Sequence, residues 1–344
     1  FNEQVRRLIQ DTHNYEGSIR IKRHGKRFTT IRNPEHARCY NAQDATDGIG
    51  TKGLLHYNMK TFSNGVQDAF AMVTDDHMEG GYIPVHLQDH IMIQDENKEY
   101  IFAAVNALRD LCLENPWEDM DGKYYPIIIT GGETAIINTL QGFEMGITAT
   151  GYVLKGEEIY PRIEDGDIII GLGSNGIHSN GLSFFRQELF DKQRKGLDEM
   201  LPWGTTIGEE LTRPTYVYMP ALKELIKYMR GHIHGMVHIT GGGLSKLREL
   251  LPVGKSLDIQ IRKDHTLEPQ EIFHYAYDLG TPSEKMYTRF NNGVGYAIAI
   301  DKSGQKDALD ILRKHYSADI IGEVCRGTGK VLIESQYSNE TVVF

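Results

Sequence analysis

Two glycine-rich stretches carry the residues best suited to chemistry on a phosphorylated ligand. The first, "DGIGTK", runs from Asp47 to Lys52 and contains a carboxylate, two glycines, a hydroxyl and a lysine. Gly48 and Gly50 allow backbone N–H groups to approach an anion closely, and Lys52 adds a point charge. Asp47 is a candidate ligand for Mg²⁺, which proteins bind through one or two carboxylates together with water and phosphate oxygens. This stretch therefore favours phosphate binding.

The second stretch, "GLGSNGIHSNG" at 171–181, follows an apolar run and matches the G-x-G-x-x-G pattern of dinucleotide-binding turns. That function requires a second strand that ends in an acidic residue about 20 positions later. Asp191 has the right spacing, but it lies in a charged segment, 181–198, that we predict to be helical. The pattern of elements therefore disfavours a dinucleotide turn.

Further acidic residues are candidates for a metal site. Asp75, Asp76 and Glu79 lie near the end of a predicted helix, where acidic side chains are electrostatically unfavourable unless a cation lies nearby. A Mg²⁺ ion that bridges them to Asp47 is one explanation, and a solvated helix end is the other. Glu133 follows two glycines just beyond a predicted buried strand, where ligands of α/β folds collect. It is also a plausible ordinary acid at a helix start.

Three histidines at even spacing, His232, His234 and His238, would lie on one face of a strand. No fourth metal ligand is indicated, so structural or substrate-contacting roles are favoured over a metal site. The glycine run Gly241 to Gly243 follows and predicts a second turn with exposed backbone donors.

Composition excludes several classes of protein. The chain has 344 residues and a formal net charge of −10, which disfavours nucleic acid or an anionic membrane as the main partner. No apolar run reaches the roughly 18 residues of a membrane helix. The cysteines, Cys39, Cys112 and Cys325, lie far apart, which disfavours a disulfide framework and is typical of a cytoplasmic protein.

Strand and helix patterns alternate, which predicts an α/β or α+β protein with two domains that meet near residue 158. The basic segment 20–27 is expected to be an exposed strand or arm. Predicted strands are 82–93, 124–132, 142–154, 167–172, 256–262, 291–300 and 319–324. Predicted helices are 62–78, 99–115, 181–198, 214–230 and 304–316.

Seven motifs in one order resemble those of the phosphoribosylformylglycinamidine cyclo-ligases, also called aminoimidazole ribonucleotide synthetases. The resemblance spans about residues 44–335. The motifs are "DGIGTK", "DAFAMVTDD", "GGETA", "GDIIIGLGSNGIHSNGLSFFR", "LTRPTYVY", "HGMVHITGGG" and "FNNGVGYAIAI". The combination of "GGETA" with "GIHSNG" points to this branch rather than to the related kinases and hydrogenase-maturation proteins.

The resemblance implies a two-domain ATP-binding fold whose N-terminal sheets pair across a homodimer. Residues 1–158 would form the ATP-binding and dimerisation domain, and 159–344 would form a C-terminal α/β domain. The implied reaction is ATP-dependent closure of formylglycinamidine ribonucleotide to aminoimidazole ribonucleotide in purine biosynthesis. ATP would phosphorylate the formyl amide oxygen, so the protein would mainly neutralise charge and position the reactants.

The resemblance also implies roles for individual residues. His178 would be a hydrogen-bond donor or proton shuttle, because histidine titrates near neutral pH, and Lys52 would be catalytic through its phosphate contact. For ATP the residues are Asp47, Gly48, Gly50, Thr51, Lys52, Asp76, Glu133, Thr134 and Asn180. For the nucleotide substrate they are Ser179, His238, Gly241, Gly242 and Gly243, and for Mg²⁺ they are Asp47, Asp76 and Glu133.

The sequence departs from the family pattern at the nucleotide end of the expected site. The glycine-rich loop before "DGIGTK" is replaced by a basic segment, Asp75 stands where the family has asparagine, and Ile83 stands where it has glutamate. Two alternatives therefore stay open. One is an ATP-dependent paralogue with another substrate, and the other is a nucleotide-binding scaffold without catalytic activity.

Overall fold

The structure is a computed structural model that describes residues 2–24, 27–254 and 256–344. Contacts within the chain divide it into two compact units, Phe1–Glu158 and Ile159–Phe344, called unit 1 and unit 2 below. Across the described ranges, no helix combines the length and apolar character that a membrane span needs.

Unit 1 is a mixed α/β unit. Its helices are α1 Asn2–Gln10, α2 Pro34–Cys39, α3 Lys52–Met59, α4 Phe62–Glu79 and α5 Lys98–Glu114. Its strands are β1 Ile19–His24, β2 Arg27–Arg32, β3 Tyr40–Gly48, β4 Ile83–Ile93, β5 Trp117–Glu118, β6 Tyr124–Tyr125, β7 Ile128–Ile136 and β8 Phe143–Leu154.

The sheet that organises unit 1 has the order β3–β8–β4–β7, with β4 and β7 parallel and the other pairs antiparallel. One face is apolar and lies under the helices; its members include Leu87, Ile91 and Ile147, all fully buried. The alternation of side chains along each strand leaves polar residues such as Thr46 and Thr148 on the other face. The basic segment forms the antiparallel pair β1–β2, and Gly25 and Lys26 within it lie outside the described residues.

Unit 2 is also a mixed α/β unit. Its helices are α6 Leu182–Phe185, α7 Ile207–Leu211, α8 Met219–Met229, α9 Glu271–Asp278, α10 Ser283–Arg289 and α11 Gln305–Leu312. A π-helix covers Arg186–Lys192, and 3₁₀ helices cover Arg230–His232, Gly243–Leu250 and Lys302–Gly304. Its strands are β9 Ile168–Gly173, β10 Ile233–His238, β11 Leu257–Ile261, β12 Val294–Ile300, β13 Ala318–Arg326, β14 Val331–Glu334 and β15 Thr341–Val343.

The sheet of unit 2 has the order β10–β12–β9–β13–β11–β14–β15. Strands β9 and β12 are buried along their whole length, so both faces of the sheet are covered at its centre. Because β9 and β10 both run antiparallel to β12, their carboxyl ends lie at the same edge of the sheet. That edge carries the "SNGIHSNG" loop and the glycine run 241–243.

The α/β class predicted from the sequence is confirmed, but several predicted elements differ in their bounds. Strand β7 does not end at the glycines; it continues through Gly131 and Gly132 to Ile136 by pairing in parallel with β4. The helix expected at 181–198 is the short α6 followed by the π-helix, because the backbone turns to positive φ at Arg194. The helix expected from residue 214 begins only at Met219, since Pro220 fits the first turn of a helix but not its interior.

Candidate functional site

The turn after β3 brings the "DGIGTK" residues together in unit 1. Gly48 N–H donates to Asp47 Oδ1 at 2.7 Å, and Gly50 N–H donates to Glu144 Oε1 at 3.1 Å. Gly50 has φ 53°, a left-handed conformation that glycine adopts without strain. The chain's own carboxylates thus hold the two N–H groups that the sequence assigns to a phosphate. ATP binding by Gly48 and Gly50 stays a prediction, and it requires Glu144 to give up its contact.

Lys52 is fully buried and does not face the solvent. Its ammonium lies 2.9 Å from both Asp68 carboxylate oxygens. His56 Nε2 lies 2.8 Å from Asp68 Oδ2, and His56 Nδ1 lies 2.8 Å from the Thr61 hydroxyl. Burial lowers the pKa of Lys52, and the neighbouring carboxylate opposes that shift. The predicted phosphate contact of Lys52 stays a prediction, whereas its place in a buried ionic network is a finding.

The three residues predicted to bind Mg²⁺ lie apart within one chain. Asp47 on β3 lies opposite Ile147 on β8, Ile147 lies opposite Asp89 on β4, and Asp89 lies opposite Gly132 on β7. This row of residues is on the helix-covered face of the sheet. Glu133 is the next residue of β7 and is exposed on the opposite face. Three strand spacings of about 4.8 Å separate the strands of Asp47 and Glu133, which is too far for one shared ion.

The other two predicted nucleotide contacts on α4 and β7 are half-buried: Asp76 on α4 and Thr134 on β7. Thr51 is exposed at the start of α3. Within the described residues, no group of three or more histidine, cysteine, aspartate or glutamate side chains is arranged to hold a metal ion. The set Asp47, Asp76 and Glu133 therefore does not fit a single Mg²⁺ ion in one chain.

Asp89 is a buried carboxyl group on the helix-covered face of the sheet. A Cβ atom on Gly132 would overlap its carboxylate, so the glycine makes room for it. Burial raises the pKa of Asp89 from 3.8 to about 7. The carboxyl group is therefore half-protonated near neutral pH, at the centre of the unit 1 sheet.

Replacing Asp89 by asparagine is expected to change how stability depends on pH. The folded chain holds the proton up to about pH 7, whereas the unfolded carboxyl loses it near pH 3.8. This contribution to stability is thus fully present below pH 3.8 and is lost as the pH rises through about 7. The loss amounts to about 4 kcal/mol, which Asp89→Asn should abolish. Urea unfolding at about pH 5 and about pH 8 measures the roughly 3 kcal/mol of this loss that falls between those two pH values. An unchanged pH slope in the variant would show that Asp89 titrates normally.

In unit 2, the loop after β9 is fixed by polar contacts to its surroundings. The Tyr218 hydroxyl donates to the Gly173 carbonyl at 2.8 Å, and Asn291 Nδ2 donates to the Gly176 carbonyl at 2.8 Å. Asn175 Nδ2 donates to the Pro214 carbonyl at 3.0 Å. The loop thus has one defined conformation that presents its histidine, serine and asparagine in sequence.

His178 lies inside this loop and is buried, with φ 54°. The Asn175 N–H donates to His178 Nε2 across a long 3.5 Å, and the Tyr216 and Tyr218 rings lie with centroids 6.1 Å away. A Cβ atom on Gly295 would lie 2.8 Å from His178 Cε1, so β12 packs tightly beneath the ring. The backbone strain and the close packing fix the imidazole orientation. A role in proton transfer stays a prediction.

The next two residues of the loop point to different surroundings. The Ser179 hydroxyl pairs with the Thr215 hydroxyl at 3.1 Å. Asn180 instead lines a cavity of about 340 Å³ together with Gly241 and Gly242. Gly243, with φ 54°, packs so closely on the end of α10 that an added Cβ would lie 2.7 Å from the Tyr287 carbonyl oxygen. The structure thus brings together three residues that the sequence assigns to ligands: Asn180, Gly241 and Gly242.

The three histidines, which are separated by even numbers of residues, do not form a cluster. His232 Nδ1 lies 2.7 Å from Asp301, and His234 Nδ1 lies 2.7 Å from Asp167. His238 is fully buried and stacks on the Tyr296 ring at 5.6 Å. A pairing irregularity near the start of β10 breaks their common face. Their surroundings favour the structural interpretation, and a substrate contact by His238 stays a prediction.

A second cavity, of about 610 Å³, lies at the β9 carboxyl end. Ser174 and Tyr216 line it, together with Arg313 and His315. Arg313 already contacts Asp319 at 3.4 Å, and His315 contacts Glu224 at 2.7 Å. Arg313 and His315 of this cavity are thus each paired with a carboxylate of the chain.

Sequence reasoning missed several residues at these places. Asp89 lies on the same face of β4 as Leu87 and Ile91, because side chains alternate along a strand. An acidic residue at a position where the pattern is otherwise apolar could have indicated a buried carboxyl group. Glu144 carried no comparable signal, because only the fold brings it to the glycine turn. Asp68 likewise becomes recognisable only once Lys52 is seen to be buried beside it.

Comparison with solved structures identifies the fold. A thiamine-monophosphate kinase from Stenotrophomonas maltophilia superposes with a TM-score of 0.64 at 16% identity, covering 98% of this chain and 96% of that one. The E. coli hydrogenase maturation protein HypE superposes with a TM-score of 0.67 at 15% identity, covering 100% and 96%. A HypE in complex with ATP gives 0.60 at 18% identity, covering 88% and 84%. At these identities the likeness shows a shared fold.

Sequence comparison identifies the family. Residues 164–334 match the model of the AIR synthase related protein, C-terminal domain. The phosphoribosylformylglycinamidine cyclo-ligase of Methanobrevibacter smithii is 34% identical over 81% of this chain and 79% of its own. That of Thermococcus gammatolerans is 35% identical over 83% and 79%. The family expected from the sequence motifs is thus confirmed, and the chain belongs to the phosphoribosylformylglycinamidine cyclo-ligase family.

Proposed function

We propose that this chain uses ATP to close formylglycinamidine ribonucleotide to aminoimidazole ribonucleotide, a step of purine biosynthesis. The observation that carries the proposal is the identity of about one third to named cyclo-ligases over four fifths of the chain. The motif residues of unit 2 support it, because Asn180 and the glycine turn line one cavity beside the His178 loop.

The proposed chemistry has two steps. The formyl amide oxygen attacks the γ-phosphorus of ATP and ADP leaves, so that the oxygen becomes part of a good leaving group. The amidine nitrogen then attacks the formyl carbon, the carbon–oxygen bond breaks, phosphate departs and the nitrogen loses a proton. His178 is the proposed proton carrier, since its orientation is fixed by packing and histidine exchanges protons near neutral pH.

ATP binding is assigned in this proposal to the glycine turn of unit 1. Gly48, Gly50 and Thr51 would contact the phosphates, with Asp47 and Asp76 as the acids that the family motifs supply. Such binding has a physical requirement, because the Gly50 N–H becomes available only when Glu144 swings away. When bound, Mg²⁺ would neutralise phosphate charge, and its ligands are to be sought beyond the predicted set of three carboxylates.

A homodimer is also part of the proposal. Strand β3 is an edge of the unit 1 sheet and is exposed along most of its length, and the polar face of that sheet is uncovered in one chain. A second copy that pairs there would cover both. Light scattering after size exclusion tests this, and a molar mass of one chain at micromolar concentration would count against it.

An ATP-dependent relative with a different acceptor is the second candidate. It is favoured by Asp75, which is fully buried on α4 where the family pattern has asparagine. Turnover with formylglycinamidine ribonucleotide separates the two candidates. ADP release without that substrate's consumption, but with another amide, would favour the second.

A further inference from the structure

The "LTRPTYVY" motif of unit 2 ends in residues 213–218, which lie between α7 and α8 without regular secondary structure. Most of these residues contact the loop after β9 that carries His178. The contacts are Arg213 with Asn175, Pro214 with Asn175, Thr215 with Ser179, Tyr216 with His178, and Tyr218 with both Gly173 and His178. The segment 213–218 thus forms one wall of the loop.

Arg213 is the charged residue of this wall. Its Nη1 donates to the Asn175 carbonyl at 3.0 Å, and its Nη2 donates to Glu210 Oε2 at 2.9 Å. Glu210 is only 2% exposed, and the same carboxylate oxygen also accepts from Trp203 Nε1 at 3.2 Å and from the Thr205 hydroxyl at 3.3 Å. Because the donors of a guanidinium are planar and point in fixed directions, a carboxylate held in this way fixes the direction of Nη1. Glu210 therefore orients Arg213, and Arg213 holds the Asn175 carbonyl.

Asn175 is the residue whose backbone faces the histidine. Its N–H points to His178 Nε2 at 3.5 Å, and its side-chain Nδ2 donates to the Pro214 carbonyl at 3.0 Å. With its carbonyl and its side chain both held, the residue keeps its N–H directed at the imidazole. A ring nitrogen that faces an N–H donor offers its lone pair, so the neutral ring carries its proton on Nδ1. The position of Asn175 thus selects one of the two imidazole tautomers.

We propose that Arg213, oriented by the buried carboxylate of Glu210, is a positioning residue that holds Asn175 against His178 and so determines which imidazole nitrogen carries the proton. Its effect on turnover rests on the proposed function, in which His178 carries a proton. Its effect on the imidazole does not depend on that function. Since Arg213 acts through His178, its loss is expected to lower kcat and to leave KM nearly unchanged.

Long-range ¹H–¹⁵N NMR correlations of the histidine rings test the positioning without any turnover. The His178 signals are those that disappear in His178→Asn. At about pH 8, where an ordinary histidine is neutral, wild-type His178 is expected to carry its proton on Nδ1. In Arg213→Met the Asn175 carbonyl loses its donor, so the ring should shift to a mixture of both tautomers. The double variant Arg213→Met with Glu210→Gln leaves no unpaired buried charge and should show the same shift, even if the single variant does not fold.

Steady-state kinetics test the consequence for turnover. Arg213→Met is expected to lower kcat by about tenfold to a hundredfold, with both KM values within about twofold of the wild type, because a displaced catalytic group slows the chemical step. Arg213→Lys keeps a charge beside Glu210 but lacks the planar pair of donors, so kcat should still fall. Arg326→Met is the matched control: Arg326 contacts Asp165 at 3.2 Å at the opposite edge of the same sheet, and kcat should change by less than about twofold.

A double-mutant cycle separates positioning from a structural role. In the His178→Asn background, Arg213→Met should lower kcat no further, because the imidazole through which it acts is absent. An equal loss in both backgrounds, or a His178 ring that is unchanged by Arg213→Met, would overturn the proposal even if the chain is an active cyclo-ligase. A ring that responds to Arg213→Met in a chain without cyclo-ligase turnover would support the positioning and reject the proposed function.

Discussion

Replacing His178 by alanine is expected to lower kcat by about 10²- to 10⁴-fold, the usual range for loss of a positioned proton carrier. The side chain is buried within the loop after β9, and its backbone has φ 54°. The imidazole therefore cannot be replaced by a neighbouring group or by bulk water without rearranging the loop. Steady-state assays of ADP release at saturating substrates measure the effect.

His178→Asn is the control that separates chemistry from folding. Asparagine tolerates the left-handed backbone at this position, so its free energy of unfolding should stay within about 1 kcal/mol of the wild type. Its amide cannot carry a proton at neutral pH, so kcat should still fall. Near-full turnover in either variant would mean that another group carries the proton.

Lys52→Met is expected to destabilise unit 1 by about 3–5 kcal/mol, the typical cost of leaving one partner of a buried ion pair. The ammonium and the Asp68 carboxylate are both fully buried and 2.9 Å apart. Methionine fills much of the volume but leaves the carboxylate with His56 as its hydrogen-bonded neighbour. Urea unfolding monitored by circular dichroism measures the change in unfolding free energy.

The double variant Lys52→Met with Asp68→Asn is the matched control. It removes both charges, so it should recover a substantial part of the lost stability. A Lys52→Met variant within about 1 kcal/mol of the wild type would contradict the buried pair. If the folded variant also shows a raised KM for ATP, Lys52 contributes to phosphate binding in addition to its structural role.

The fold was largely predictable, because the spacing of apolar residues along the sequence shows which side of each strand or helix is buried. The errors arose where local geometry overrides the pattern. Glycines at 131 and 132 suggested a strand end, yet parallel pairing with β4 carries β7 through them. A charged segment after residue 181 suggested one helix. The structure instead has a π-helix there, and the backbone at Arg194 has a positive φ that ends the helical segment.

The candidate site was predictable only in part. Motif residues that lie on one loop, such as Asn180, could be named from the sequence. The structure places Asn180 in the same cavity lining as Gly241 and Gly242. Arg289 lies more than one hundred residues away from Asn180 and reaches the same cavity only through the packing of α10 on the glycine turn. Alternation places Asp47 and Glu133, two members of the predicted metal set, on opposite faces of one sheet, a consequence of strand register that the motifs do not reveal.

The most direct test of the central claim is an assay with Mg²⁺, ATP and purified formylglycinamidine ribonucleotide that follows ADP and aminoimidazole ribonucleotide together. We expect both products in equal amounts, with neither formed when the nucleotide substrate is omitted. ATP binding without aminoimidazole ribonucleotide formation would contradict the cyclo-ligase function and favour a paralogue or a scaffold.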